Sequence, residues 1–168
     1  MFLPLNKKLK KALNKPQGFT LIELLVVIGI LAILLAIVLV AVNPPRQFIF
    51  ARNTERRSDA LAILNGVGQF FAEEGTLPAN IATGSAQPIR STGPGNADIC
   101  DDLVGVDQRY LAKMPTDPLP PQNTYYFNSC SDYDTGYTIL KTANNRVTVT
   151  APNAEDPGDG APIISITR

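Results

Sequence analysis

The chain of 168 residues contains no histidine. That absence removes the commonest general base, the Ser-His-Asp and Cys-His nucleophile systems, and most catalytic zinc sites. Cysteine is nearly absent too, with Cys100 and Cys130 alone, and neither has a histidine to activate it. No glycine-rich phosphate loop opens a helix, and no period of 20–50 residues marks a repeat architecture. The carboxylates sit in turns and on helix faces. No enzyme activity, catalytic residue or cofactor is expected.

Basic charge is missing from most of the chain. Five lysines (Lys7, Lys8, Lys10, Lys11, Lys15) and no acid fall within residues 1–18. The 15 basic groups of the whole chain less these five leave ten against 15 acidic ones, so the remainder carries about −5. An acidic body argues against binding DNA through a basic patch, and no nucleic-acid partner is expected.

Between these two regions ionisable groups vanish. From Phe19 to Val42 there are 24 residues with one ionisable side chain, Glu23. As a helix this run spans roughly 36 Å at 1.5 Å per residue, more than the ~30 Å hydrocarbon core of a bilayer. The lysine cluster beside it fits the positive-inside rule, with the leader cytoplasmic and the C-terminal part exported. A conventional secretory signal needs small residues in an A-x-A pattern after its apolar core. The run instead ends in VLVAVNPP, and no cysteine follows to carry a lipid. Composition alone supports a membrane anchor, but an intramembrane carboxylate costs about 2.5–3.5 kcal/mol on insertion scales, so it calls for a partner and a purpose.

The run Gly18-Phe19-Thr20-Leu21-Ile22-Glu23-Leu24-Leu25-Val26-Val27-Ile28 resembles the processing site of class III signal peptides, carried by type IV pilins and type II secretion pseudopilins. The resemblance is close from Gly18 to about Val42 and looser beyond. It implies that prepilin peptidase cuts between Gly18 and Phe19 and methylates the new amino group of Phe19. It also implies that Glu23 docks a subunit into a growing filament, where the cationic amine of a neighbour's Phe19 meets its carboxylate.

The layout follows: a cleaved leader over 1–18, a transmembrane or filament-core helix over 19–42, and an exported head over 43–168. Gly29 interrupts the apolar helix, at about 1 kcal/mol relative to Ala. At Asn43-Pro44-Pro45 the helix either kinks and continues, or Asn43 caps a new helix that starts at Pro44, where no donor is required. Ala60, Leu61, Ile63, Leu64, Val67, Phe70 and Phe71 recur at three- and four-residue spacing and predict an amphipathic helix over 46–74. Gly66 and Gly68 within it leave room for a sheet to approach. A surface loop is expected over 75–97, a short helix within 98–113, and strands at 125–127, 137–141, 146–150 and 163–167. One long helix followed by a small antiparallel sheet is α+β, the layout of pilin heads.

Cys100 and Cys130 both lie in the exported part, where an even count points to a disulfide. Closing that loop of about 30 residues contributes roughly 3–4 kcal/mol in the chain-entropy model. Arg52, Glu55, Arg56, Arg57 and Asp59 form a charged band just beyond the span, read either as a solvated helix face or as inter-subunit ion pairs. Asp117, Asp132 and Asp134 are hard oxygen ligands in turns; the stretch 131–136 resembles neither an EF-hand nor the calcium loop of major pseudopilins, and no metal is expected there.

These features predict a filament subunit that is first a single-pass protein of the inner (cytoplasmic) membrane and then part of an extracellular or periplasmic filament. The implied partners are prepilin peptidase, other pilin subunits, and the pilus or type II secretion assembly platform. A type II secretion pseudopilin, or a minor pilin acting as an adhesin or DNA-uptake receptor, are the alternatives. A plain anchor carrying an unrelated head is a third, and predicts no cleavage at Gly18.

Overall fold

The computed structural model describes residues 18–105, 107–119, 124–158, 160 and 162–168. The leader before Gly18 lies outside them, as does Asp159. The chain divides into two compact units, with the boundary between Asn43 and Pro44.

Within the first unit, helix α1 runs Leu21–Val42 over 22 residues. Its length is about 33 Å at 1.5 Å per residue. None of its residues is buried. The helix is apolar on every side, which a helix tolerates only inside a large core or a membrane. Among the described residues it is the one helix long and apolar enough to cross a bilayer. At its far end Asn43 takes the left-handed conformation (φ 47°, ψ 74°), which suits asparagine at the end of a helix. A second helix begins at Pro44, so the two prolines start a helix and do not kink one. Asn43 thus has the geometry of a C-cap for α1, not the extended backbone of an N-cap.

The second unit opens with helix α2, Pro44–Glu74. It begins two residues earlier than the apolar spacing predicts, because proline in a first turn gives up a donor that has no partner there anyway. Its buried residues are Asn53, Arg56, Ala60, Ile63, Leu64, Gly66 and Val67. The stripe is polar in its first half and apolar in its second. The apolar half packs on a five-stranded antiparallel sheet of strands β1 (Gln87–Arg90), β2 (Tyr126–Ser129), β3 (Asp132–Lys141), β4 (Val147–Ala151) and β5 (Ile164–Thr167). The order is β1-β3-β4-β5, with β2 also paired to β3.

Strand β1 lies inside the stretch expected to be loop. Gln87-Pro88-Ile89-Arg90 gives no clean alternation, and its proline argues against a central strand. It forms as an edge strand, paired among the described residues with β3 alone. The four other strands fall near their predicted places, and β3 begins five residues earlier than the apolar pattern suggests. Its extension through Asp132–Gly136 alternates buried Tyr133 and Thr135 with partly exposed Asp134 and Gly136. Gly136 has φ +77°, and a Cβ there would fall 2.8 Å from the Tyr125 ring and 2.9 Å from Asp117 Cβ, so only glycine fits.

The core is filled by Ile63, Leu64 and Val67 of α2, Tyr137 and Ile139 of β3, and Val149 of β4. A short helix α3, Cys100–Leu103, adds Cys100 and Leu103 from one end. Gly66 is approached there by Leu111 and Leu103 side chains, at 3.2 Å and 3.7 Å from an added Cβ. Its missing side chain admits this helix-loop cap and not the sheet. Gly68 has only the Arg168 guanidinium nearby, at 3.8 Å.

Candidate processing and assembly site

Gly18, Phe19 and Thr20 are outside α1 and exposed, with Phe19 at 86 %. The bond between Gly18 and Phe19 therefore sits in accessible, non-helical backbone, two residues before the first helical turn. A Cβ built on Gly18 meets nothing within 4 Å. Nothing in the described fold requires glycine at this position.

Thr20 is the N-cap of α1, and it makes a reciprocal pair with Glu23. The Glu23 amide donates to Thr20 Oγ1 at 3.3 Å. The Thr20 amide and hydroxyl both donate to Glu23 Oε2, at 2.9 and 2.8 Å. This is a capping box, which satisfies donors that the first turn of a helix leaves open. Every member of it lies after the Gly18–Phe19 bond, so cutting that bond leaves the box whole. Among the described residues no hydrogen bond reaches Glu23 Oε1. The carboxylate is thus fixed by one oxygen and open at the other. Thr20-x-x-Glu23 is the local sequence signature of such a box, and it gives the carboxylate a structural use at the helix start besides its charge within the apolar run.

Three members of the charged band are spent inside the second unit. Arg56 is fully buried. Its Nε reaches both carboxylate oxygens of Asp117, at 3.2 and 3.0 Å, and its Nη2 reaches Oδ1 at 2.9 Å. Its Nη1 donates to Asn53 Oδ1 and to Glu155 Oε2, each at 2.9 Å. Arg52 makes a two-point contact with the same Glu155, and the Tyr137 hydroxyl donates to Asp59 at 2.8 Å. The band is therefore neither a solvated face nor a free set of inter-subunit charges at Arg52, Arg56 and Asp59. Glu55 and Arg57 stay exposed. Burial alone pulls the Arg56 guanidinium down, but hydrogen bonds to Asp117 and Glu155 outweigh it and hold the group above its usual range. The hydrogen bonds from Arg52, helped by Arg56, hold the Glu155 carboxyl below its usual range. Burial raises Asp59, against the Tyr137 hydrogen bond.

The acidic residues weighed as calcium ligands have other uses. Asp117 is the partner of Arg56, and its Oδ1 also accepts from the Leu119 amide at 2.9 Å. Asp132 accepts from Asn128 at 2.8 Å, and Asp134 from the Gly136 amide at 3.1 Å. Cys100 and Cys130 form a disulfide with Cα atoms 5.2 Å apart. It ties the start of α3 to the turn between β2 and β3.

Residues 13–39 match the family model of the prokaryotic N-terminal methylation motif. No curated protein and no solved structure matches the chain. The motif implies processing by prepilin peptidase and assembly of the pilin kind in general, and it points to a structural protein. At residues 13–39 the chain carries the class III signal peptide of a type IV pilin- or pseudopilin-like precursor.

Proposed function

We propose that this chain is the structural subunit of a type IV pilus-like filament, cut by prepilin peptidase between Gly18 and Phe19, methylated on the Phe19 amine, and assembled through α1. The observation that supports this most is a helix with no buried face that opens on an exposed, capped junction. Before assembly, lipid covers the apolar surface of α1. In a filament, neighbouring α1 helices replace lipid at little cost, because both surroundings are apolar. The open oxygen of Glu23 is then available to a neighbour's Phe19 amine, and an ion pair of that kind is strong where water is excluded.

Glu23→Gln tests the docking role. Glutamine keeps the acceptor that the capping box needs and loses only the charge. The processed variant is expected to accumulate in the membrane with few or no filaments. Normal filament yield would leave Glu23 with a capping role alone. If surface fibres are absent in the wild type and loss of the chain blocks export of folded proteins, the filament is a type II secretion pseudopilus.

A further inference from the structure

The first turns of α2 carry an apolar cluster that the head does not use. Phe48 is 64 % exposed and Phe50 41 % exposed, and Ile49 between them is half-buried. At 3.6 residues per turn, Phe48 and Phe50 point about 160° apart around the helix axis. Large apolar side chains therefore leave the helix in several directions at one level. A protein partner docked on one face would cover one side of such a collar. A bilayer interface surrounds a helix that leaves it and covers all sides. The Arg46 guanidinium lies 5.4 Å from the centre of the Phe50 ring, so a cation sits at the level of the aromatics. Aromatic rings beside a basic residue are the chemistry of the headgroup layer.

Chain distance bounds the level. Phe48 is six residues beyond Val42, the last residue of α1, so it lies within about 22 Å of the end of that helix whatever the course of the joint. The 22 residues of α1 already match a ~30 Å hydrocarbon core, and headgroups add several ångströms on each side. We infer that Arg46, Phe48, Ile49 and Phe50 form an interfacial collar, seated in the headgroup layer of the exported leaflet while the subunit waits in the membrane. This rests on α1 being the membrane span. It adds a second, reversible hold on the subunit that must be given up when it enters a filament.

The chain has no tryptophan, so single substitutions report from one place. Phe48→Trp, Phe50→Trp, Leu31→Trp and Phe71→Trp are each made in the full chain. Each is reconstituted into phosphatidylethanolamine/phosphatidylglycerol vesicles with lipids brominated near the ester linkage or near the methyl end. Phe48→Trp and Phe50→Trp are expected to lose most of their emission to the shallow label, Leu31→Trp, at the middle of α1, to the deep label, and Phe71→Trp to neither. Quenching at Leu31→Trp without quenching at 48 and 50 overturns the collar and leaves the span. No quenching at Leu31→Trp takes the span away and the collar with it. Quenching that extends to Phe71→Trp means α2 lies along the bilayer, which also overturns a collar. Blue-shifted emission at 48 and 50 that ignores both labels and follows the protein-to-lipid ratio makes a second copy the partner and overturns the lipid assignment.

Discussion

Arg56 and Asp117, 61 residues apart in sequence, form an ion pair with no solvent exposure on either side chain. The guanidinium fork takes both carboxylate oxygens, which a point-charge lysine cannot reproduce. A buried pair adds little net stability over a well-packed apolar pair, but removing one partner strands the other in a medium that cannot solvate it. Arg56→Ala and Asp117→Ala are each expected to destabilise the head by about 3–5 kcal/mol. The double variant is expected to cost much less than their sum. Urea unfolding of the full chain in detergent, read by circular dichroism, gives the cycle. Additive losses would mean that the two residues act independently.

Glu155 makes the same region sensitive to acid. Its folded-state carboxyl lies below the unfolded value because Arg52 and Arg56 hold the anion. Its contribution is therefore complete above the unfolded carboxyl range and is lost as pH falls through the lower, folded value. Glu155→Gln is expected to cost about 1–2 kcal/mol at neutral pH, the size of charged hydrogen bonds that keep some access to water. The gap between variant and wild type should close on acidification. Asp59 acts with the opposite sign, since burial raises its carboxyl. Its folded state favours the protonated form, and the stability it contributes at low pH is lost as pH rises through the raised value. Asp59→Asn should therefore leave stability unchanged below the unfolded carboxyl range, remove the loss that sets in between that range and the raised folded value, and be the more stable form above it. A gap at Glu155→Gln that persists at the lowest pH at which the head stays folded would contradict the assignment.

The Cys100–Cys130 disulfide closes a separation of 30 residues. The Cys100→Ala/Cys130→Ala pair is expected to lose roughly 3–4 kcal/mol, mostly by freeing the unfolded chain. Alanine is the suitable replacement because Cys100 is fully buried and serine would leave a hydroxyl without a partner there. Equal stability of the wild type with and without reductant would show that the bridge does not contribute.

The parts of the chain that could be read in advance are those governed by local pattern. The apolar run of α1, the three- and four-residue spacing of Ala60, Ile63, Leu64 and Val67, and the alternation in Val147–Thr150 each fix an element within a few neighbours. Cys100 and Cys130 pair because no other cysteine competes. What escaped was set by distant partners. Arg56 has the composition of a surface helix residue, and only the fold brings Asp117 and Glu155 to it. Strand β1 exists because β3 offers an edge, which Gln87-Pro88-Ile89-Arg90 alone does not announce. The capping box at Thr20 is a local signal of the ordinary kind. The same carboxylate is also the one ionisable group of an apolar span, so its charge and its capping role point to different uses of one side chain.

Gly18 separates folding from processing. Open space around its missing side chain means that Gly18→Ala should leave the stability of the described fold unchanged within about 0.5 kcal/mol, as surface substitutions do. If glycine serves the fit of the junction into the peptidase, the same variant should accumulate uncut. Cleavage at the wild-type rate would remove Gly18 from the recognition set.

The most direct test is the intact mass and N-terminal peptide of the protein recovered from its native membrane or from sheared surface material. The expected product begins at Phe19 with a methylated amine and has lost residues 1–18. A chain that still begins at Met1, in cells with active prepilin peptidase, would contradict processing and reduce α1 to a plain anchor.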